Sequence, residues 1–192
     1  MTWIIPGTVL QTNRAEAEQI PQQLEALFFG GGITLSQVTA ITGLEAHTVQ
    51  NWVKRGFLTS PVGKKYTLRQ LCRIINIHML KSALPMERIC GLLAYINGQL
   101  DSEQDDTIDD SQLYFAFVRL AARVDHLIDD DPTQREQALE DILRSYAEPV
   151  PGARERIKQV LRIMLTAWLS VRLQREAEAL LAQLPTECKG GM

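Results

Sequence analysis

Along much of this chain the hydrophobic positions recur at spacings of three and four, the period of a helix with one buried face. Leu35, Val38 and Ile41 form the first clear stripe, and Thr34 with Gln37 makes a capping box ahead of it, so a helix is predicted to start at Leu35. Gly43 then permits the left-handed backbone that ends a helix sharply. A second helix is predicted over Glu45–Arg55, closed by Gly56. At about 100° per residue, Ala46, Val49 and Val53 share its inner face, with Trp52 at the flank. His47, Gln50, Asn51, Lys54 and Arg55 project outward. Thr67 and Gln70 form another capping box, which opens a helix over Leu68–Lys81. Its stripe of Leu68, Leu71, Cys72, Ile75 and Met79 is joined by Ile74, Ile77 and Leu80 on other sides. A helix apolar on more than one side needs a second covering, from the C-terminal helices or from a second subunit. Pro85 opens a fourth helix with Ile89, Leu92, Leu93 and Ile96 buried.

The flanking segments read differently. Residues Met1–Arg14 have no clear period and are expected to form a loosely packed arm, with Trp3, Ile4 and Ile5 as anchors. A short helix over Pro21–Phe29 is stopped by Gly30-Gly31-Gly32. The acidic stretch Leu100–Gln112 reads as an exposed linker, followed by helices over Ser111–Ile128, Pro132–Tyr146 (capped by Asp131) and Gly152–Leu184. In the last of these Ile157, Val160, Leu161, Met164, Trp168 and Val171 are widened by Ile163, Leu165 and Leu169, which predicts a central, buried helix. Its roles would be dimerisation or the lining of a small-effector pocket. Strand patterning is confined to a two-stranded wing between Leu58 and Tyr66. The expected fold is therefore all-α: an arm and short helix over 1–32, a winged helix-turn-helix domain over 33–98, a linker over 99–112 and a helical C-terminal region over 113–192.

Charge sharpens this division. Residues 33–98 hold eight Lys and Arg against Glu45 and Glu87, a net of plus six, whereas the rest of the chain carries twelve basic and twenty-one acidic residues, or minus nine. That asymmetry points to a nucleic-acid partner for one part of the chain. Cys72, Cys90 and Cys188 are odd in number and lack metal-ligand spacing, so they are read as thiols, buried at Cys72 and Cys90. The acidic run Asp101–Asp110 lacks the glycine and terminal glutamate of a calcium loop. His78 and His126 have no spaced partners. With no nucleophile–base constellation, phosphate-binding loop or metal cluster, neither an enzyme nor a cofactor is expected. Charges interrupt the apolar stretch Val160–Leu173, and the N-terminus lacks a secretory pattern, so the expectation is a cytoplasmic protein without a membrane span.

The segments TLSQVTAITG, HTVQNWVKRGFL, KKYTLRQL and LPMERICGLL follow one another as in the MerR-like winged helix-turn-helix family, which this part of the chain resembles. NWVKRGFL followed by P-x-x-KKYT is closer still to a bacterial family catalogued as a domain of unknown function and itself regarded as MerR-like. The resemblance implies a dimeric transcriptional regulator. Its second helix would enter the major groove, placing Thr48, Gln50, Asn51 and Lys54 at bases or phosphates, and its wing would bring Lys64, Lys65 and Tyr66 to the backbone; His47 and Arg55, outward on the same helix, are further candidate contacts. The chain departs from the MerR pattern in having Gln50 for Arg, Trp52 for Tyr and an acidic stretch where the long dimerising helix would follow. The partners implied are double-stranded DNA, a second copy of the chain and a small-molecule effector. The alternative is a protein-interaction adaptor that keeps the winged fold without DNA binding, a reading that Gln50 favours and the basic window opposes.

Overall fold

The computed structural model describes residues 2–97, 107–124 and 132–184, which are mostly helical with two small antiparallel sheets. The N-terminal arm departs from expectation. It is a hairpin of β1 (Thr2–Ile4) and β2 (Gln11–Asn13), with Trp3 opposite Thr12. Trp3 and Ile5 are buried while Ile4, between them, is 57% exposed, the alternation of a strand with one face on a core. Three-residue strands are too short to display that period to a sequence reader.

Close approach fixes the hairpin to the body of the protein. Gly7 has φ +73°, and a Cβ there would lie 2.7 Å from Ile75 Cγ2 and 3.0 Å from the Ile75 carbonyl oxygen, so only glycine fits. The Tyr114 hydroxyl donates to the Pro6 carbonyl at 2.9 Å. His78 Nδ1 lies 3.2 Å from the Gly7 carbonyl, which sets that nitrogen as the protonated one. Burial pushes the His78 pKa below its ordinary value, with Lys81 and Arg175 adding to the effect and the Gly7 hydrogen bond opposing it. A depressed histidine pKa favours folding above its unfolded value, and that contribution is lost as pH falls through the folded value. Wild-type stability in urea should therefore fall from about pH 7 to about pH 5, and His78→Gln should flatten that part of the profile. Identical slopes for both proteins over this interval would contradict the assignment.

A 3-10 turn over Arg14–Gln19 runs into α1 (Ile20–Ala26), shorter at its C-terminus than the expected Pro21–Phe29. Strand β3 (Ile33–Thr34) leads into α2 (Leu35–Thr42), whose Thr34–Gln37 capping box forms as expected, with Gln37 Oε1 accepting from the Thr34 amide at 2.9 Å. Helix α3 (Ala46–Lys54) follows the left-handed Gly43, and β4 (Lys65–Tyr66) pairs with β3. The sheet partner of Lys65–Tyr66 is thus Ile33–Thr34. The expected Leu58–Tyr66 ribbon is reduced to a bridge between Val62 and Lys65.

Helix α4 (Leu68–Leu80) begins at the second capping box and is buried on nearly every side. Its second covering is α6 (Asp110–Val124), with further packing on α5 (Met86–Asn97) and α8 (Ala153–Ala182). One continuous core runs from Trp3 to Ala167, so residues 33–97 and the C-terminal helices share an interior rather than standing apart. The expected linker is corrected at its end: Thr107, Ile108 and Asp110 are buried, whereas 98–106 lie outside the described residues, with most of the acidic run. Also outside them are His126, Cys188 and the proposed Asp131 cap of α7 (Pro132–Leu143). Of the described thiols Cys72 is fully buried and Cys90 half-buried.

A second correction concerns α8. It is buried only through Ala167, beyond which Leu173, Leu180, Leu181 and Leu184 are about 60% exposed or more. Its first half is tied to α7 by Lys158, which pairs with both Glu136 and Glu140, and by Arg162 at 2.7 Å from Glu136. No helix among the described residues is long and apolar enough to cross a membrane.

Candidate nucleic-acid interface

Helix α3 is amphipathic by construction. Val49 and Trp52 are buried and Val53 half-buried, which turns His47, Gln50, Asn51, Lys54 and Arg55 to solvent. Thr48 is only partly exposed, at the edge of that face, and Ala46, expected inside, is exposed. Gly56 at φ +75° ends the helix and the Phe57 amide donates back to the Trp52 carbonyl at 2.9 Å. Arg55 stacks its guanidinium over the Phe57 ring at 5.0 Å, while Lys81 stands 5.8 Å above Trp52. Trp52 is therefore a core residue, with a cation on its face.

Residues Val62–Lys65 make a tight reversal. Gly63 and Lys64 have φ of 57° and 62°, and the Lys65 amide donates to the Val62 carbonyl at 3.0 Å. Positive φ at both central positions is the requirement of a type I′ hairpin turn, which glycine meets freely and lysine at a cost of about 1–2 kcal/mol. Lys64 and Lys65 are both exposed, as expected. Lys65 Nζ donates to the Gly30 carbonyl at 3.1 Å, which leaves an ammonium group with two further donors.

Tyr66 is corrected. It is 4% exposed and packed in the core, and burial pushes its phenol pKa up, so its ring is not at the surface of the turn. Strand alternation explains this: with Lys65 outward, Tyr66 must face inward.

Gln70, expected only as half of a capping box, has a second role that sequence reasoning passed over. Its Oε1 completes the capping box by accepting from the Thr67 amide at 2.9 Å, and its Nε2 donates to the Thr59 carbonyl at 3.1 Å, the Thr59 hydroxyl at 2.9 Å and the Ser60 carbonyl at 3.2 Å. One side chain thus starts α4 and holds the loop that carries Lys64 and Lys65. A capping-box glutamine gives no sign of that second task in sequence.

The basic excess is also redistributed. Arg73 is 8% exposed, donating from Nε to the Phe57 carbonyl at 3.1 Å and from Nη1 to Asp110 Oδ2 at 3.3 Å. Arg69 lies 3.5 Å from Asp109 and 3.8 Å from Asp110. Two of the eight cations of the basic window thus act internally, and the exposed ones are Lys54, Arg55, Lys64, Lys65, Lys81 and Arg88. Burial pushes the Asp110 carboxyl up from its ordinary value, outweighing the opposing pull of Arg73 and Arg69. Among the described residues no group of three or more His, Cys, Asp or Glu is placed to hold a metal ion.

The chain is similar to the uncharacterized protein YkrK of Bacillus subtilis (strain 168), at 24% identity over 164 residues, covering 79% of this chain and 70% of the relative. No solved structure matches it. Residues 29–117 match the family model described as a domain of unknown function, DUF1836, a span that takes in both capping boxes, α3, the Val62–Lys65 turn and the Arg73–Asp110 pair.

Proposed function

We propose that this chain is a sequence-specific DNA-binding regulator of transcription, of MerR-like winged helix-turn-helix architecture, that works as a homodimer. Helix α3 lies in the major groove and the Val62–Lys65 turn rests on phosphates. The observation that carries this reading is the outer face of α3, where His47, Gln50, Asn51, Lys54 and Arg55 stand exposed together on a helix anchored by Val49 and Trp52. Asn51 has the amide that pairs in bidentate fashion with adenine, and Lys54 and Arg55 at the helix end supply charge for phosphates. Lys64 strengthens the case. A lysine in a left-handed backbone position, where glycine costs less, is backbone strain of the kind found at functional sites.

Pairing of two copies is supported by α8, whose exposed Leu173, Ala177 and Leu180 follow the alternating four-three spacing of a coiled-coil seam. Such a dimer reads two half-sites. Selection of bound duplexes from a random pool tests the reading. Wild type should yield a two-fold symmetric motif, and Asn51→Ala should lose preference at one base per half-site, at a cost of about 1–3 kcal/mol in discrimination. An unchanged motif from Asn51→Ala would show that α3 does not read the bases.

A further inference from the structure

A cavity of about 630 Å³ opens between the first turn of α4, the start of α6 and the end of α7, within the range of small-molecule sites. Its inner wall is apolar and buried, made by Ile108, Ala116, Ile142 and Leu143. Arg69 and Arg119 stand on its polar side, with side chains 22% and 30% exposed. The carboxylate that offsets them in the lining, Asp109, already accepts from the amide and hydroxyl of Ser111. Arg119 reaches its carboxylate neighbour, Glu18, only at 3.9 Å. The lining therefore carries a net charge of plus one beside a greasy wall.

We infer that this cavity is an effector site for a small carboxylate with an apolar body, the carboxylate on Arg119 and the body against Ile108, Ile142 and Leu143. Guanidinium groups recognise carboxylates in planar, two-bond fashion, and a partly desolvated wall strengthens the contact. The place of the cavity supplies a consequence. Arg69, in its lining, is the neighbour along α4 of Gln70, whose Nε2 holds Thr59 and Ser60. Occupancy beside Arg69 is thus passed to its neighbour Gln70 and, through Thr59 and Ser60, to the loop bearing Lys64 and Lys65. Ligand binding does not depend on the DNA reading; only the use made of the transmitted signal rests on it.

Calorimetric titration of the full chain with octanoate, against octanol as the uncharged counterpart, tests the site. Octanoate is expected to bind saturably, with octanol at least about tenfold weaker. Arg119→Gln should weaken octanoate about tenfold. Ser145→Trp, a substitution at an exposed position of the lining, should block it, and cooperative thermal unfolding checks that both variants are folded. Hydrogen exchange should slow at the backbone amides of 59–66 when octanoate saturates the protein. Absence of octanoate binding, equal affinity for octanol, or unchanged binding in both folded variants would overturn the site. Binding without any change in exchange over 59–66 would overturn the transmission. Neither readout involves DNA, so failure here is distinguishable from failure of the DNA reading.

Discussion

Arg73→Met is expected to destabilise the protein by about 3–5 kcal/mol, because it leaves the Asp110 carboxylate buried without its closest cation. Asp110 is 1% exposed, its Oδ2 is 3.3 Å from Arg73 Nη1, and its Oδ1 has no hydrogen-bond donor among the described residues. Arg69, at 3.8 Å and shared with Asp109, offsets only part of the loss. The loss has a pH signature. Burial already raises the Asp110 pKa, so the folded state holds its proton more tightly than the unfolded chain does. Stability from that protonation is fully present below the unfolded carboxyl value and is lost as pH rises through the folded one. The Arg73→Met deficit should therefore be largest near neutrality and shrink in acid. Arg73→Met combined with Asp110→Leu should recover much of it, since removing both charges removes the desolvation cost. Urea unfolding of the two variants checks this; a neutral-pH deficit below about 1 kcal/mol for the single variant would show that the pair is not the tie it is taken to be. The pair bears on the proposed interface because Arg73 Nε also holds the Phe57 carbonyl, just beyond α3.

The second large effect is on DNA affinity. Lys64→Glu with Lys65→Glu should lower affinity about a hundredfold for every duplex alike, near 1.4 kcal/mol per site, and reduce the slope of log affinity against log salt by about two. Reversal of charge on the turn leaves untouched the outer face of α3, which is proposed to read bases, so the preferred motif should persist. Lys64→Gly separates affinity from folding. It relieves the left-handed backbone at φ 62°, so stability should hold or rise while affinity falls. Equal affinity of the double variant and wild type for one duplex would remove the turn from the interface.

What the sequence made legible was local. Both capping boxes, the glycines that close α2 and α3, and the outward set on α3 are decided by neighbours within one or two turns, and each lies where the pattern put it. What escaped depends on distant partners. Asp110 stands 37 residues from Arg73 and Pro6 stands 108 from Tyr114, so neither the internal use of a basic residue nor the packing of the N-terminal hairpin has a signature at short range. Tyr66 shows the same limit: the resemblance placed it on the wing among the backbone contacts, and pairing with Ile33 turned it inward. On α8 the apolar residues beyond Ala167 read as core because periodicity marks which face is greasy and does not say what covers it.

The proposed function requires contact with DNA phosphates, and the salt dependence of binding tests that contact most directly. Purified full-length protein should retain genomic duplex fragments at low salt, with log affinity falling linearly against log salt at a slope of several units, and the retained fragments should share a two-fold symmetric motif. No retention at low salt, or affinity indifferent to salt, would contradict the DNA reading and turn the outer face of α3 into a surface for another protein.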